Sequence, residues 1–264
     1  DKFDLICSGN LLNDVSYPNN IKPWAIGLTS RIMNYLDQSR DKVSDQEEVI
    51  GHNFRVNHNM RKYVFENLEK LDLKTPLALR LTDKLSDTKL EGQKQMDIDY
   101  WKASTKRHNP AYFELINKTL LFLGFGGYYE LKPFAYRPYS FKEKVLRKPT
   151  HLKVQSKLKK NEDISPHVFV FQYDNFRMWE LFYSNSCPIL LSCEAWKFKL
   201  PVVPVPNEHY VAIESLKGAD LENNLNQLSK EQIKEMGTKG TEWVTQHYSP
   251  SGQANRLLNY LSEL

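Results

Sequence analysis

The stretch HVFVFQYDNFRMWELFYSNSCPILLS, residues 167–192, decides the predicted fold. Residues 167–173 and 187–192 are short, mainly apolar runs that predict strands, and residues 174–186 between them predict a helix. A strand, a helix and a second strand in succession are typical of an α/β protein with a parallel sheet. We therefore expect an α/β fold around this stretch.

Further elements of the same kind lie on both sides of the stretch. Pro110 begins a predicted helix that contains AYFELINK and leads into a strand, TLLFLGF, and then into Gly126 and Gly127. Near the start of the chain, residues 1–8 predict a strand at the buried edge of a parallel sheet. The remaining predicted elements are helices at 22–38, with Pro23 near its first turn, at 58–73 and near 151–160, a short strand at 209–213, and two or three helices over 217–264.

Composition limits the class of protein. The chain has 264 residues, of which 41% are hydrophobic and 26% charged, and this is the usage of a globular protein with one large or two small domains. The net charge of +4 favours an anionic small ligand or no particular partner, because nucleic-acid-binding proteins concentrate far more basic charge on one face. We therefore expect no nucleic-acid partner.

The three cysteines, Cys7, Cys187 and Cys193, match neither a disulfide framework nor a metal-binding pattern. We expect them to be small buried residues in a reducing compartment. The sequence shows no run long enough for a transmembrane segment and no signal peptide. The chain begins at Asp1 without Met, so the location stays open, with the cytoplasm favoured.

The start of the predicted helix at 174–186 has an unusual charge pattern. We expect Asp174 to cap this helix, with Tyr173 and Met178 as a hydrophobic staple, which places Arg177 in the first turn. A helix N-terminus prefers acidic residues, so an arginine there favours a bound anion such as a diphosphate. Glu180 follows on the same face, where its carboxylate would accept hydrogen bonds from a ribose. The alternative is that Arg177 forms an ion pair with Asp174 or Glu180 and has only a structural role.

Residues 176–213, FRMWELFYSNSCPILLSCEAWKFKLPVVPVPNEHYVAI, resemble a pattern found in several GT-B-type glycosyltransferases. The pattern consists of an arginine, a helix with an acidic residue, a small-residue turn before a strand, and a segment ending near HYV. It is most similar to the lipopolysaccharide-modifying, protein O-glucosyltransferase-like family, and more distantly to the exostosin-like and spore-coat (CgeB-like) glycosyltransferases. The resemblance continues through the final helices, so it covers about 100 residues from His167 to the end.

The resemblance implies a Rossmann-like parallel sheet in a GT-B-type architecture. A smaller α/β unit would occupy residues 1–96, and a nucleotide-sugar-binding domain would occupy residues 97–264 with an insertion at about 131–165. The implied activity is transfer of a sugar from a nucleotide-sugar donor to a hydroxyl group of a glycan, lipid-linked or protein acceptor. By this resemblance, Arg177 contacts the donor diphosphate and Glu180 lies near the donor.

Most enzymes of this type hold the diphosphate without metal, and the chain has no convincing DxD-type motif, so we expect no cofactor and no metal. The sequence DID at Asp97–Asp99 is interpreted as the start of a helix. Two rival functions remain open: a GT-B-like domain that has lost catalysis and acts as a binding or scaffold module, and a nucleic-acid-binding protein that uses the basic insertion.

Two other groups of residues are candidates for the site. Gly126 and Gly127 form either a flexible turn or a backbone that approaches the donor. In the second case they would bind the donor together with Arg177, Glu180 and Asp174. His52, Arg55, His58 and Arg61 recur at intervals of three and would share one face of a helix. That face is either a solvated polar surface or an acceptor surface on which His58 acts as general base.

Overall fold

The protein has a mixed α/β fold built on a four-stranded parallel sheet. The computed structural model describes residues 3–53, 59–61, 64, 110–131, 152–153, 156–157, 160, 167–215 and 218–264. The strands of the sheet are β4 (Glu47–Gly51), β5 (Thr119–Leu123), β8 (Cys187–Leu191) and β10 (Val211–Ile213), in the spatial order β10-β8-β5-β4. Because all four are parallel, their carboxyl ends meet at one edge, which we call the carboxyl edge, and their amino ends meet at the opposite amino edge.

Helices pack against this sheet and share the core with its strands. They are α1 (Ser30–Arg40), α2 (Pro110–Lys118), α3 (Phe176–Tyr183), α4 (Gly218–Asn226), α5 (Lys230–Tyr248) and α6 (Pro250–Ser262). Helices α3 and α5 pack on β8 and on each other, whereas α2 packs on β4, β5 and α1. Every residue of β5 and β8 is buried, as expected for central strands of a parallel sheet.

The described residues also form three two-stranded sheets. Strands β1 (Ile6–Ser8) and β3 (Ile21–Pro23) are parallel, whereas β2 (Leu11–Leu12) pairs antiparallel with β9 (Phe198–Lys199). Strand β6 (Tyr128–Leu131) pairs antiparallel with β7 (Val168–Phe171). The predicted strand at 167–173 is therefore confirmed as β7, but it belongs to a hairpin with β6 and not to the parallel sheet.

The helix at 110–118, the strands at 119–123, 187–191 and 211–213, the helix at 176–183 and three closing helices are confirmed. The helix expected at 22–38 is wrong at its start, because Pro23 ends a strand and α1 begins at Ser30 after its cap, Thr29. The prediction that the first strand is buried is also wrong, since Ile6 and Cys7 are exposed, although Cys187 and Cys193 are buried as expected.

The predicted boundary between residues 96 and 97 lies outside the described residues, as does most of the 131–165 insertion. Residues 59–61 and 64 of the helix predicted at 58–73, and residues 152–153 and 156–157 of the one near 151–160, are helical. Strand β4 comes before the predicted boundary and pairs with β5, which comes after it. The division into two domains stays a prediction.

Within these ranges, no helix is both long and apolar enough to cross a membrane.

Candidate functional site

Helix α3 begins at the carboxyl edge, and its first turn brings together most of the predicted donor-binding residues. The prediction that Asp174 caps this helix is wrong, because the cap is Asn175, whose side chain accepts a hydrogen bond from the main-chain N–H of Met178 at 3.4 Å. The register consequently shifts by one residue, and the expected staple of Tyr173 and Met178 is replaced by a polar contact between Asp174 and Trp179. Arg177 still lies in the first turn, as predicted.

Asp174 ties the N-terminal part of the chain to this helix. Its buried carboxylate accepts hydrogen bonds from the main-chain N–H of Ile26 at 2.8 Å and from the indole N–H of Trp179 at 2.6 Å. Its own main-chain N–H donates to the side chain of Asn10 at 3.0 Å. Burial raises the pKa of the Asp174 carboxyl to about 6, against the opposing effect of the two hydrogen bonds. The side chain of Asp174 is therefore engaged within the protein.

Arg177 is a buried cation without a carboxylate partner among the described residues. Only 7% of its surface is exposed, and it forms no ion pair with Asp174 or Glu180. Its Nη2 donates to the main-chain oxygen of Asn53 at 2.5 Å, and the guanidinium lies 5.6 Å from the centre of the Tyr112 ring. The buried Nε has no hydrogen-bond partner within the same part of the chain. The structural ion pair considered from the sequence is thus not formed.

Glu180 lies one turn further along α3 and is fully buried. Its Oε2 accepts a hydrogen bond from the Tyr112 hydroxyl at 2.8 Å. Burial, followed by the neighbouring Glu180 carboxylate, raises the pKa of the Tyr112 phenol, so this hydroxyl stays protonated and donates. Glu180 therefore holds the tyrosine ring against which Arg177 packs, and its contact with a ribose stays a prediction.

Gly126 and Gly127 allow the β5–β6 loop to approach the start of α3. A Cβ added at Gly126 would lie 2.4 Å from the Asn175 side-chain nitrogen, and one at Gly127 would lie 2.4 Å from the main-chain oxygen of Phe171. Gly127 also has a φ of +93°, which favours glycine. Gly126 is therefore closely packed against the helix cap and Gly127 against strand β7, and their contact with a donor stays a prediction.

A second buried arginine lies at the same edge. Arg61 is 7% exposed, and its Nε donates to the main-chain oxygen of Phe125 at 3.4 Å, next to Gly126. His52, directly after β4, is also buried. The interpretation of these two residues as part of one solvated helical face is wrong, because both are buried and His52 follows a strand. His58, the weak candidate for the general base, and Arg55 lie outside the described residues.

Sequence reasoning missed Asn53 and Tyr112 as parts of this arrangement, and it considered Arg61 only for an acceptor surface. The signal that could have found Asn53 is its position just after β4, since ligands of parallel sheets bind at the carboxyl ends of strands. Because strand β4 was not predicted from the sequence, this position could not be recognised as a strand end.

Residues with positive φ also concentrate around the start of α3. Asn10 (φ 56°) bonds to Asp174, Gln172 (φ 52°) precedes it by two residues, and Gly27 (φ 66°) follows Ile26. Left-handed backbone at non-glycine residues is costly and persists where surrounding contacts fix it, often at functional sites. Hydrogen bonds thus tie the loop that contains Asn10 and the one that contains Ile26 to Asp174.

Within the residues that the structure describes, no group of three or more His, Cys, Asp or Glu side chains is placed to hold a metal ion. The DID sequence at Asp97–Asp99 lies outside those residues, so its interpretation stays a prediction.

Neither protein-family models nor curated proteins gave a match to this chain. The resemblance to GT-B-type glycosyltransferases therefore stays a prediction, and the function is inferred from the geometry of the site.

Proposed function

We propose that the protein is a metal-independent glycosyltransferase that binds the diphosphate of a nucleotide sugar at the carboxyl edge, in front of α3. The observation that supports this most directly is Arg177, a buried guanidinium that has no carboxylate partner among the described residues. Keeping an unpaired cation buried is costly, and an anionic ligand supplies the missing charge.

The surroundings of Arg177 favour an anion over other ligands. Arg177 occupies the second position of α3, whose N-terminal N–H groups and dipole attract negative charge. Arg61 adds a second buried guanidinium near Phe125, in the loop that also contacts the Asn175 cap. A guanidinium forms charge-assisted hydrogen bonds with phosphate, and a helix N-terminus attracts the same anion, so this edge suits a diphosphate.

In a sugar transfer, the acceptor hydroxyl oxygen forms a bond with the anomeric carbon and its proton passes to solvent. The bond between the anomeric carbon and the diphosphate breaks, and negative charge grows on the departing diphosphate. Arg177, held by Asn53 and the Tyr112 ring, would stabilise that charge without the need to reorganise. Asp174 would act as a positioning residue, because it fixes the start of α3 through Trp179 and Ile26. The proposal assigns no general base.

Ligand-induced thermal stabilisation tests the donor site. The full chain is heated with the diphosphates of uridine, guanosine, adenosine, cytidine and thymidine, each with EDTA and with Mg²⁺ or Mn²⁺. We expect at least one diphosphate at millimolar concentration to raise the melting temperature with EDTA present, since ligand that binds only the folded state stabilises it. The absence of any shift contradicts the donor site, and a shift that requires metal contradicts metal independence.

Binding alone does not separate a transferase from a binding module. The matching nucleotide sugars are therefore incubated with the protein and water or simple glycoside acceptors, and free diphosphate is measured. Release of diphosphate that disappears in an Arg177→Met variant supports the transferase. Tight binding with no release under any condition favours the catalytically inactive module.

A further inference from the structure

A cavity of about 290 Å³ lies at the amino edge, at the end of the sheet opposite Arg177. Its walls are the loop at residues 43–46 before β4, the loop at residues 184–185 before β8, and the face of α5 between Lys234 and Thr241. Ligand pockets commonly start at roughly 300 Å³, and a liquid water occupies about 30 Å³. The cavity therefore holds one ring-sized molecule but is too small for a whole nucleotide sugar.

The walls of this cavity are fixed by hydrogen bonds within the chain. Gln46 joins the two loops, since its Nε2 donates to the main-chain oxygen of Asn185 at 2.6 Å. The Thr241 hydroxyl joins α5 to the second loop by contacts with the main-chain oxygens of Phe182 and Ser184, at 2.9 and 3.3 Å. A ligand would thus meet a preformed site and would not have to order these segments.

Several polar groups that line the cavity remain available to a ligand. Among the described residues, the side chains of Ser44, Asp45, Asn185 and Lys234 form no hydrogen bond or ion pair with the rest of the protein. They provide a hydroxyl, a carboxylate, a carboxamide and an ammonium group, so donors and acceptors alternate around one space. A polar ligand can use these groups as directional hydrogen-bond partners, whereas an apolar ligand gains nothing from them.

The charges of the lining do not favour a strongly charged ligand. One carboxylate and one ammonium group cancel, and in the part of the chain that the structure describes no aromatic ring lines the cavity as a platform for a nucleobase. Asp45 and Lys234 are both exposed, so an ion pair with either contributes little, whereas the directional bonds of the amide and hydroxyl groups remain. We propose that this cavity binds a single monosaccharide unit, a neutral polyhydroxyl ligand, separately from the donor site.

The proposal does not depend on the transferase activity, and nuclear magnetic resonance of the isotope-labelled full chain tests it directly. Glucose, galactose and N-acetylglucosamine are titrated in separate experiments. We expect at least one sugar to cause saturable shifts of the amide signals of residues 44–46, 184–185 and the first half of α5, with a dissociation constant in the millimolar range. Glycine and glutamate, which carry both charges, are the competing probes.

A matched pair of variants locates the binding. Thr238 lines the cavity, whereas Thr245 does not; both are exposed on α5, and each donates its hydroxyl to the main-chain oxygen four residues earlier. Thr238→Trp fills the cavity and should weaken sugar binding at least about tenfold, whereas Thr245→Trp should leave it unchanged. Asp45→Ala is a second variant, outside any helix or strand, that should weaken binding severalfold.

Each result decides the proposal. Saturable shifts at the cavity that disappear in Thr238→Trp and remain in Thr245→Trp support it. The proposal is overturned if no sugar gives saturable shifts, if the shifts survive Thr238→Trp, or if glycine or glutamate binds and the sugars do not. Thermal stabilisation by a diphosphate should be the same in both tryptophan variants, so failure here is distinguishable from failure of the donor site.

Discussion

Arg177 and Arg40 are bound in nearly the same way at opposite edges of the sheet, and they differ in whether a carboxylate pairs with the guanidinium group. Each donates from Nη2 to a main-chain oxygen at 2.5 Å, Arg177 to Asn53 and Arg40 to Tyr183. Each guanidinium lies over a tyrosine ring, at 5.6 Å and 5.3 Å from its centre. Arg40 also has a carboxylate partner, Asp37 at 3.3 Å, whereas Arg177 has none among the described residues.

The surrounding polar groups follow the same division. At the amino edge, buried Asn117 donates to the main-chain oxygen of Leu36 and to Ser39, and accepts from the main-chain N–H of Asn185. Ser186 and Thr119 likewise bond to each other. At the carboxyl edge, the buried charges of Arg177 and Asp174 are held by neutral partners. The buried polar groups of this amino-edge network are therefore satisfied within the chain, whereas Arg177 has no carboxylate partner among the described residues, and the donor site proposed at the carboxyl edge depends on that difference.

Among the substitutions that test this comparison, Asn117→Ala should have the largest effect, a loss of stability. The substitution removes three buried hydrogen bonds and leaves their partners unsatisfied, so we expect a loss of about 3–4 kcal/mol in the free energy of unfolding. Urea denaturation measures it, and exposed Asn255→Ala on α6 is the control. Diphosphate affinity of the folded variant should stay unchanged. A loss below about 1 kcal/mol would show that the amino-edge network is not structural.

Asp174 should give the next largest effect, through pH. Burial raises its pKa from 3.8 to about 6, so the folded state binds the proton more tightly than the unfolded state. Its contribution to stability is therefore fully present below about pH 3.8 and is lost as the pH rises through about 6, by at most about 3 kcal/mol. We expect the free energy of unfolding of wild type minus that of Asp174→Asn to fall over this interval. If the free energies of unfolding of the two proteins changed in parallel with pH, this prediction would be contradicted. The exposed substitution Asp4→Asn is the control for the loss of one carboxylate.

The two arginines themselves provide the third test. Arg177→Met should weaken binding of the stabilising diphosphate by about 1.5–3 kcal/mol, roughly tenfold to a hundredfold, because a charge-assisted hydrogen bond to phosphate is lost. Arg40→Met removes a cation of similar geometry at the other edge and should leave the affinity unchanged. Isothermal titration calorimetry measures both. Equal affinities for the two variants would mean that Arg177 has only a structural role.

The elements that the sequence predicted well are those with strong local patterns. Strands β5 and β8 are continuous apolar runs, and α2 begins at a proline, so their positions follow from neighbouring residues alone. The start of α1 was wrong because the strand pairing of Ile21–Pro23 with β1 is a tertiary contact that no local pattern shows. Asn175 replaced Asp174 as the cap because the Asp174 carboxylate is held by Ile26, which is distant in sequence.

The candidate site was predictable only where it lies on one element. Arg177 stood out because a cation in the first turn of a helix is locally unfavourable. Its partners, Asn53 and Tyr112, come from a strand end and another helix, and only the fold brings them together. The role of Glu180 likewise depended on Tyr112, whose hydroxyl it binds across 68 positions of sequence.

The smallest expected effect compares two glycines, Gly126 at the carboxyl edge and Gly237 at the amino edge. A Cβ at Gly126 would lie 2.4 Å from the Asn175 side chain and 3.1 Å from the main-chain oxygen of Gln172, so the helix cap must move. A Cβ at Gly237 would meet its nearest atom at 3.5 Å, an ordinary contact, inside α5. Loss of a cap costs about 1 kcal/mol, whereas alanine is more favourable than glycine in a helix by roughly 0.5–1 kcal/mol.

The two alanine variants should therefore change stability in opposite directions. Gly126→Ala should lower the melting temperature and weaken diphosphate binding slightly, because the capped first turn of α3 carries Arg177. Gly237→Ala should raise the melting temperature and leave the diphosphate affinity unchanged. Differential scanning calorimetry of the two variants with and without diphosphate measures all four quantities. If Gly126→Ala changes neither the melting temperature nor the diphosphate affinity, the β5–β6 loop is a flexible turn that yields to the added methyl group. Its packing against Asn175 then has no part in shaping the site.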